Sequence, residues 1–405
     1  MVAGIAWRNI WRNRRRSGVI LAAIALGLSG GLFACGFMGG MAASMVEAGI
    51  DRSLAHVQLH ATRFKRDGQI ADVIPDAAGV LSVLDTLPGV AGVSPRAIIR
   101  GMALSPAANS AVTICGIDPA AEQRATRIAG AVAKGAFLSA NDVNAVVVGG
   151  KLAEKLGLRL RSKLVLSFAG RDGTIEYGAF RVGGIFATAS AAFDRVTVFV
   201  RRRDIEDLTG GGILVHEIAV RMRDGGMTET TRDVLRARYP RLAVDDWRDL
   251  APDLRLAAET TDVSMLFFVG IILLALLFGI TNTVLMSVLD RTREIGVLMA
   301  IGMKRGRVFA LIVLETLFLS LTGGVAGICA GALLVAVTAR TGITLALFAE
   351  GLSAYGISAV VYPVLPLTVC AEVAALTVVT ALCASLYPAL KAIRMRPAEA
   401  TRTVK

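Results

Sequence analysis

The stretch Thr281–Arg307, TNTVLMSVLDRTREIGVLMAIGMKRGR, decides how the rest of the chain is read. It begins inside one long apolar run and ends just before another, so the piece between must lie at a membrane surface. Arg291, Arg293, Lys304, Arg305 and Arg307 face only Asp290 and Glu294 there, a bias that places it on the cytoplasmic side. Its middle, Ile295–Met303, carries no charge. At helical spacing Ile295, Leu298 and Met299 share one face, while Gly296 and Ala300 form a small-residue face open to close approach. Two readings follow: an amphipathic helix resting among lipid headgroups, or a helix docked in a groove of a cytoplasmic protein.

Composition supports a membrane protein with a large polar part. The 405 residues are 54% hydrophobic, with a mean hydropathy of +0.61. The net charge of +12 is confined to three segments. Residues 1–17, 290–307 and 391–405 hold 15 Lys and Arg against 3 Asp and Glu, leaving 29 of each sign elsewhere. Charge so placed beside apolar runs marks topology and excludes a nucleic-acid-binding surface.

Residues 1–17, MVAGIAWRNIWRNRRRS, set Ile5, Trp7, Ile10 and Trp11 on one helical face with arginines elsewhere, which predicts an amphipathic helix at the inner membrane surface. An uncleaved membrane helix follows at 18–45, longer than the ~20 residues a span needs. Gly27 and Gly31, and Gly36 and Gly40, form small-xxx-small pairs suited to close helix packing or to a dimer contact. Further spans are expected at 263–289, 308–338 and 366–390, with a cytoplasmic helix at 290–307, an external loop at 339–365 and a cytoplasmic tail at 391–405. Gly323, Gly327 and Gly331 stripe the third span at four-residue intervals.

Between the first and second spans, residues 46–262 read as an α+β domain on the far side of the membrane, built of alternating short strands and helices with glycine punctuation at Gly149, Gly150 and Gly157. The fold class is therefore a polytopic α-helical membrane protein with four transmembrane helices and one large extracytoplasmic α+β domain. Both termini are expected in the cytoplasm.

Chemistry is sparse. Cys115 is the one cysteine of five outside an apolar run, so the domain has no intrachain disulfide framework, and no cysteine pair has metal-ligand spacing. His56 and His60 sit in HVQLH, read as a solvated strand face in preference to a metal site. No G-x-x-x-x-G-K-[ST], H-E-x-x-H or G-x-S-x-G pattern occurs, so no catalytic constellation is assigned. Within the spans, Asn282, Glu315 and Glu372 are polar groups that need protein, water or an interface. Glu315 is expected to pair inside the bundle; Glu372 is read as either paired or snorkelling.

RTREIGVLMAIGMKRGRV followed by LIVLETLFLSLTGGVAGICAG resembles the signature of FtsX/MacB/Lol-type ABC transporter permeases. GGKLAEKLGL and GIFATASAAFDRVTVFV more loosely resemble the periplasmic domain of that family, its lipoprotein-releasing branch in particular. The resemblance implies that the cytoplasmic helix is a coupling helix touching an ATPase through Arg293, Glu294, Ile295, Gly296, Leu298, Met299, Ala300 and Gly302. It implies a transport subunit, not an enzyme, of the bacterial inner membrane. This chain would bind no cofactor, ATP and Mg2+ being held by two copies of an ABC ATPase. The expected partners are a second permease chain, identical or related, membrane lipids, and a periplasmic chaperone or adaptor protein. Mechanotransmission would serve lipoprotein extraction from the outer leaflet, with MacB-like drug or peptide efflux and FtsX-like control of a cell-wall hydrolase as alternatives. A membrane receptor is a further class, disfavoured because no cytoplasmic segment is long enough for a signalling domain.

Overall fold

A computed structural model describes residues 2–12, 14–354 and 358–394; the expected cytoplasmic tail beyond 394 lies outside them. Two compact units divide the chain, one of residues 1–43, 259–344 and 361–405, the other of 44–258 and 345–360.

The first unit is helical: α1 (Val2–Arg12), α2 (Arg14–Gly49), and, after the second unit's α3 (Pro119–Ala125), α4 (Pro252–Asp290), α5 (Thr292–Ala300), α6 (Arg305–Thr341) and α7 (Leu367–Arg394). Among the described residues, α2, α4, α6 and α7 are long and apolar enough to cross a membrane. Lipid tails are as apolar as leucine, so nothing hydrophobic drives these helices together, and close van der Waals approach must do so. The glycine stripe of α6 supplies it. A Cβ on Gly327 would lie 2.9 Å from the Ala25 carbonyl oxygen of α2, and one on Gly331 would lie 3.0 Å from Leu32 Cβ. Gly323 meets Ile24. On α2 itself, Gly27 and Gly31 receive Leu276 and Ile272 of α4, while Gly36 and Gly40 lie against Val335 and the chain at Tyr362–Pro363. All seven glycines are thus occupied within one chain. Thr281 adds an interhelical hydrogen bond, its Oγ1 donating to the Ala384 carbonyl of α7 at 3.2 Å.

α1 forms the helix expected over this segment and sets part of its apolar stripe on protein. Ala6 and Ile10 are buried inside the unit, and Trp7 stands edge-on to Phe318 of α6 at 5.9 Å. Part of the apolar stripe therefore packs on protein, leaving Ile5 and Trp7 partly exposed. The Trp11 side chain lies outside the described set.

The second unit is built on a ten-stranded sheet: β1 (Val57–Ala61), β2 (Val90–Leu104), β3 (Asn109–Ile117), β4 (Val132–Gly135), β5 (Ala145–Gly149), β6 (Lys163–Ala169), β7 (Ile175–Phe186), β8 (Thr197–Arg201), β9 (Glu217–Met222) and β10 (Leu242–Asp246). Its order is β10-β1-β9-β2-β3-β8-β5-β7-β4, with β6 pairing β2 and β7. β3–β8 and β5–β7 are parallel and the rest antiparallel. β7 alternates cleanly, burying Phe180, Val182 and Phe186 and exposing Ile175, Tyr177 and Arg181. β4 and β10 are too short and too polar to show in the hydrophobic pattern.

β1 contradicts the solvated-face reading of HVQLH. Sandwiched between β9 and β10, it is buried along its whole length. His60 Nε2 donates to Glu217 Oε2 at 3.2 Å, and His56 Nδ1 accepts from the Met222 amide. His216 spends both nitrogens, Nδ1 accepting from the Ile98 amide and Nε2 donating to the Ile70 carbonyl.

Behind β1 lies a buried ionic cluster. Arg96 of β2 is 2% exposed and donates through Nε and Nη2 to both oxygens of Glu122, at 2.9 and 2.7 Å. Its Nη1 reaches Glu217 Oε1 at 2.6 Å. Glu122 rides on α3, whose start is fixed by Pro119 at the first helical position and by Asp118 accepting the Ala120 and Ala121 amides. Ser94 and Thr126 hydroxyls, each at 2.7 Å, complete the Glu122 shell. Burial by itself would raise both carboxyls, but the Arg96 charge and these hydrogen bonds outweigh it and hold Glu122 and Glu217 below the usual range. Burial lowers His216, which the Ile70 hydrogen bond only partly offsets.

Two outcomes are expected. A depressed carboxyl pKa means a contribution to stability that is complete above about pH 4.5 and lost as pH falls through the lower folded value. His216, lowered from 6.5, adds a contribution complete above pH 6.5 that declines toward its folded pKa. Thermal unfolding of the detergent-solubilised chain from pH 7 to pH 3 should therefore lose stability in two stages, with Glu217→Gln flattening the lower one. In the bundle, Gly327→Leu should cost about 1–3 kcal/mol by overpacking. The same change at Gly30 or Gly270, where nothing lies within 4 Å of an added Cβ, should be near neutral.

Candidate functional site

α5 is the short helix that links α4 to α6, and its geometry is set at both ends. Arg291 occupies the N-cap with φ −102° and no side-chain capping hydrogen bond, and Glu294 puts a negative charge in the first turn, where the helix dipole favours it. The C-terminus closes in a Schellman turn: the Met303 amide donates to Leu298 O at 3.0 Å and the Gly302 amide to Met299 O at 3.1 Å. Gly302 takes φ +101°, a conformation that L side chains rarely adopt, so its role is to end this helix and turn the chain into α6.

Two ion pairs fix α5 to its surroundings. Arg12 Nη2 of α1 donates to both Glu294 oxygens, at 2.8 and 2.7 Å, with both side chains more than half exposed. Screening limits such an exposed pair to about 0.2–1 kcal/mol. The second pair is more enclosed: Arg291 Nη1 donates to Glu315 Oε1 of α6 at 2.9 Å, and only about a fifth of either side chain is exposed. Glu315 therefore meets a basic group from its own chain, which resolves the cost of an acid two turns into an apolar helix. Ser17, Arg291, Glu294, Glu315 and Thr316 border a cavity of about 80 Å³ at this end of the helices.

The eight residues singled out in the sequence divide sharply. Ile295 and Gly296 are buried, and Leu298 and Met299 are half-buried, with Ile295 and Met299 in the membrane unit's own core. Arg293, Glu294, Ala300 and Gly302 are exposed. Two apolar residues outside that set, Val297 at 43% and Ile301 at 80%, complete the open face. Gly296, expected to permit close approach of another protein, instead faces the interior of its own unit, because the stripe with Ile295 and Met299 is consumed by packing. The signal that could have found Val297 and Ile301 is the helical wheel itself: they lie opposite the buried stripe. Arg12 left no such signal, since its partner is 282 residues away.

The remaining polar residues of the spans are placed differently from Glu315. Asn282 and Glu372 are exposed, Glu372 on the second turn of α7.

Comparison with known proteins adds the following. The profile of the MacB-like periplasmic core domain matches residues 17–238, and that of the FtsX-like permease C-terminal region matches 266–397. An ABC transporter permease of Methanocaldococcus jannaschii is 28% identical over 213 residues, covering 51% of this chain and 52% of that protein. The macrolide export ATP-binding/permease protein MacB of Neisseria meningitidis is 30% identical over 121 residues, 28% of this chain and 18% of that protein. The chain thus spans about half the length of the first relative and less than a fifth of the second. The periplasmic region of MacB from Actinobacillus actinomycetemcomitans aligns with a TM-score of 0.36 at 12% identity, over 51% of this chain and 94% of that structure.

The enclosed ion pair can be measured directly. Arg291→Met and Glu315→Met should each destabilise the solubilised chain by about 1–3 kcal/mol, because each leaves a largely enclosed charge without its partner. The double substitution should cost less than the sum, and a double-mutant cycle on thermal unfolding checks this.

Proposed function

Because this chain belongs to the family of MacB- and FtsX-type ABC transporter permeases, we propose that it is the membrane subunit of an ABC transporter that extracts lipoproteins from the outer leaflet of the inner membrane. Two permease chains would work with two ATPase subunits, which hold the ATP and Mg2+. Closure of the ATPases would push on α5 and then on the long helices, and the periplasmic domains would move the cargo.

One observation carries the coupling role: Val297 and Ala300 of α5 and Ile301 just past it are exposed beside Lys304, Arg305 and Arg307, an apolar strip bordered by cations opposite the buried stripe. Exposed leucine-like area on so short a helix is suited to a groove on another protein. Lipoprotein as cargo is supported by the likeness of Gly149–Leu158 and Gly184–Val200 to the lipoprotein-releasing branch. Efflux of a macrolide-like compound is the second reading, favoured by the macrolide export for which the Neisseria relative is named.

The test is reconstitution of the chain in liposomes with an ABC ATPase that co-purifies with it. ATP-dependent release of an acylated lipoprotein supports the first reading, whereas ATP-dependent accumulation of a macrolide without lipoprotein release selects the second. Ile301→Glu should leave the chain's stability unchanged and weaken ATPase capture at least tenfold. Undiminished capture by that variant would remove α5 as the contact.

A further inference from the structure

Directly after α2 the chain makes a single π-helical turn, Ile50–Leu54, closed by the Ala55 amide donating to Ile50 O at 3.1 Å. Ala55 ends it at φ +52°, an uncommon conformation for a residue with a side chain. Turns of this kind tend to mark functional positions, and one held in place must have its polar groups engaged.

Here the carbonyls of Asp51, Ser53 and Leu54 are taken by residues of the same unit. Arg96 Nη1 donates to Ser53 O at 2.6 Å, from the same guanidinium that binds Glu122 and Glu217. Gln58 Nε2 donates to Leu54 O at 2.9 Å and to Ser53 O at 3.3 Å. The Arg127 amide donates to Asp51 O at 2.8 Å, while the Asp51 carboxylate meets Arg221 Nη1 at 2.7 Å. Arg52 lies over the Phe193 ring at 5.2 Å. The next strand, β1, pairs Val57 with Asp246 of β10, and His56 O accepts the Trp247 amide just before α4 begins. The chain leaving the first membrane helix and the chain approaching the second are therefore joined within one sheet, and Arg96 is the group common to the sheet, α3 and the exit turn.

We propose that Arg96 is a positioning residue for coupling: it clamps the Ile50–Leu54 turn to β2, β9 and α3, so that displacement of α2 is delivered to the sheet as a rigid movement. The clamp stands on the geometry above, and its use in coupling rests on the permease reading. A guanidinium suits the task because its planar fork binds one carboxylate with two parallel bonds while a third nitrogen direction remains for Glu217 and the Ser53 carbonyl. An ammonium has three donors from one point and cannot reproduce that set.

Hydrogen exchange on the full chain, reconstituted with its ATPase with and without vanadate-trapped ATP, tests the proposal. In the unaltered chain, trapping should change exchange in the turn and in β1 and β9 together. In Arg96→Lys, amides of residues 50–56 should exchange at least tenfold faster at rest, and the trapping response of β1 and β9 should vanish, while β5 and β8 keep their protection. Gln58→Met, which leaves the ionic cluster untouched, should give the same local acceleration to a smaller extent, and it decides the matter if Arg96→Lys does not accumulate. Unchanged exchange at 50–56, acceleration spread over the whole sheet, or a preserved response in β1 and β9 would each overturn the clamp. A chain that engages no ATPase at all overturns the coupling role through its premise, and is recognised before any variant is made.

Discussion

The absence of a hydrophobic driving force between helices in lipid governs the membrane unit. What replaces it is backbone proximity, and proximity requires residues without side chains where the helices cross. Gly323, Gly327 and Gly331 of α6 provide this against Ile24, Leu28 and Leu32 of α2, and Gly27 and Gly31 of α2 provide it against α4. The polar residues then tolerated inside the unit are those for which this packing supplies partners. Thr281 reaches a carbonyl on α7, and Glu315 reaches Arg291.

The extracytoplasmic unit solves a different problem. Its centre contains a cation, which is costly to desolvate unless charge and hydrogen bonds are both returned to it. Two carboxylates and a backbone carbonyl do so for Arg96, and hydroxyls of Ser94 and Thr126 complete the neighbouring Glu122. Such a cluster is unforgiving, because each member left without its partner becomes a buried charge. That property makes it a rigid fixture of the domain, seated on β2, the longest strand of the sheet.

The short helix α5 is packed on one side only. α5 spends Ile295, Gly296 and Met299 on its own unit and leaves Val297 exposed, as is Ile301 just past its end. Glu294 and Glu315 differ only in enclosure: one pair is screened by water, the other is held between helices. The helix is thus tied on one side and open on the other.

The amino-acid sequence by itself determined the four apolar spans, the α+β character of the domain between the first two and membership of the permease family, because hydropathy and short-range periodicity are written in neighbouring residues. It also marked the glycine stripes, without saying which helix each would meet. Tertiary structure alone decided the rest. The burial of β1 that turned His60 from a solvated residue into a partner of Glu217, the meeting of Arg12 with Glu294, and the gathering of Ser53, Arg96, Glu122 and Glu217 all join residues far apart in the chain. No local pattern records such pairings, since a charge in the sequence looks the same whether water or a second charge will neutralise it. The faces of α5 were decided in the same way: the wheel separates two sides, but only packing determines which side the protein keeps for itself.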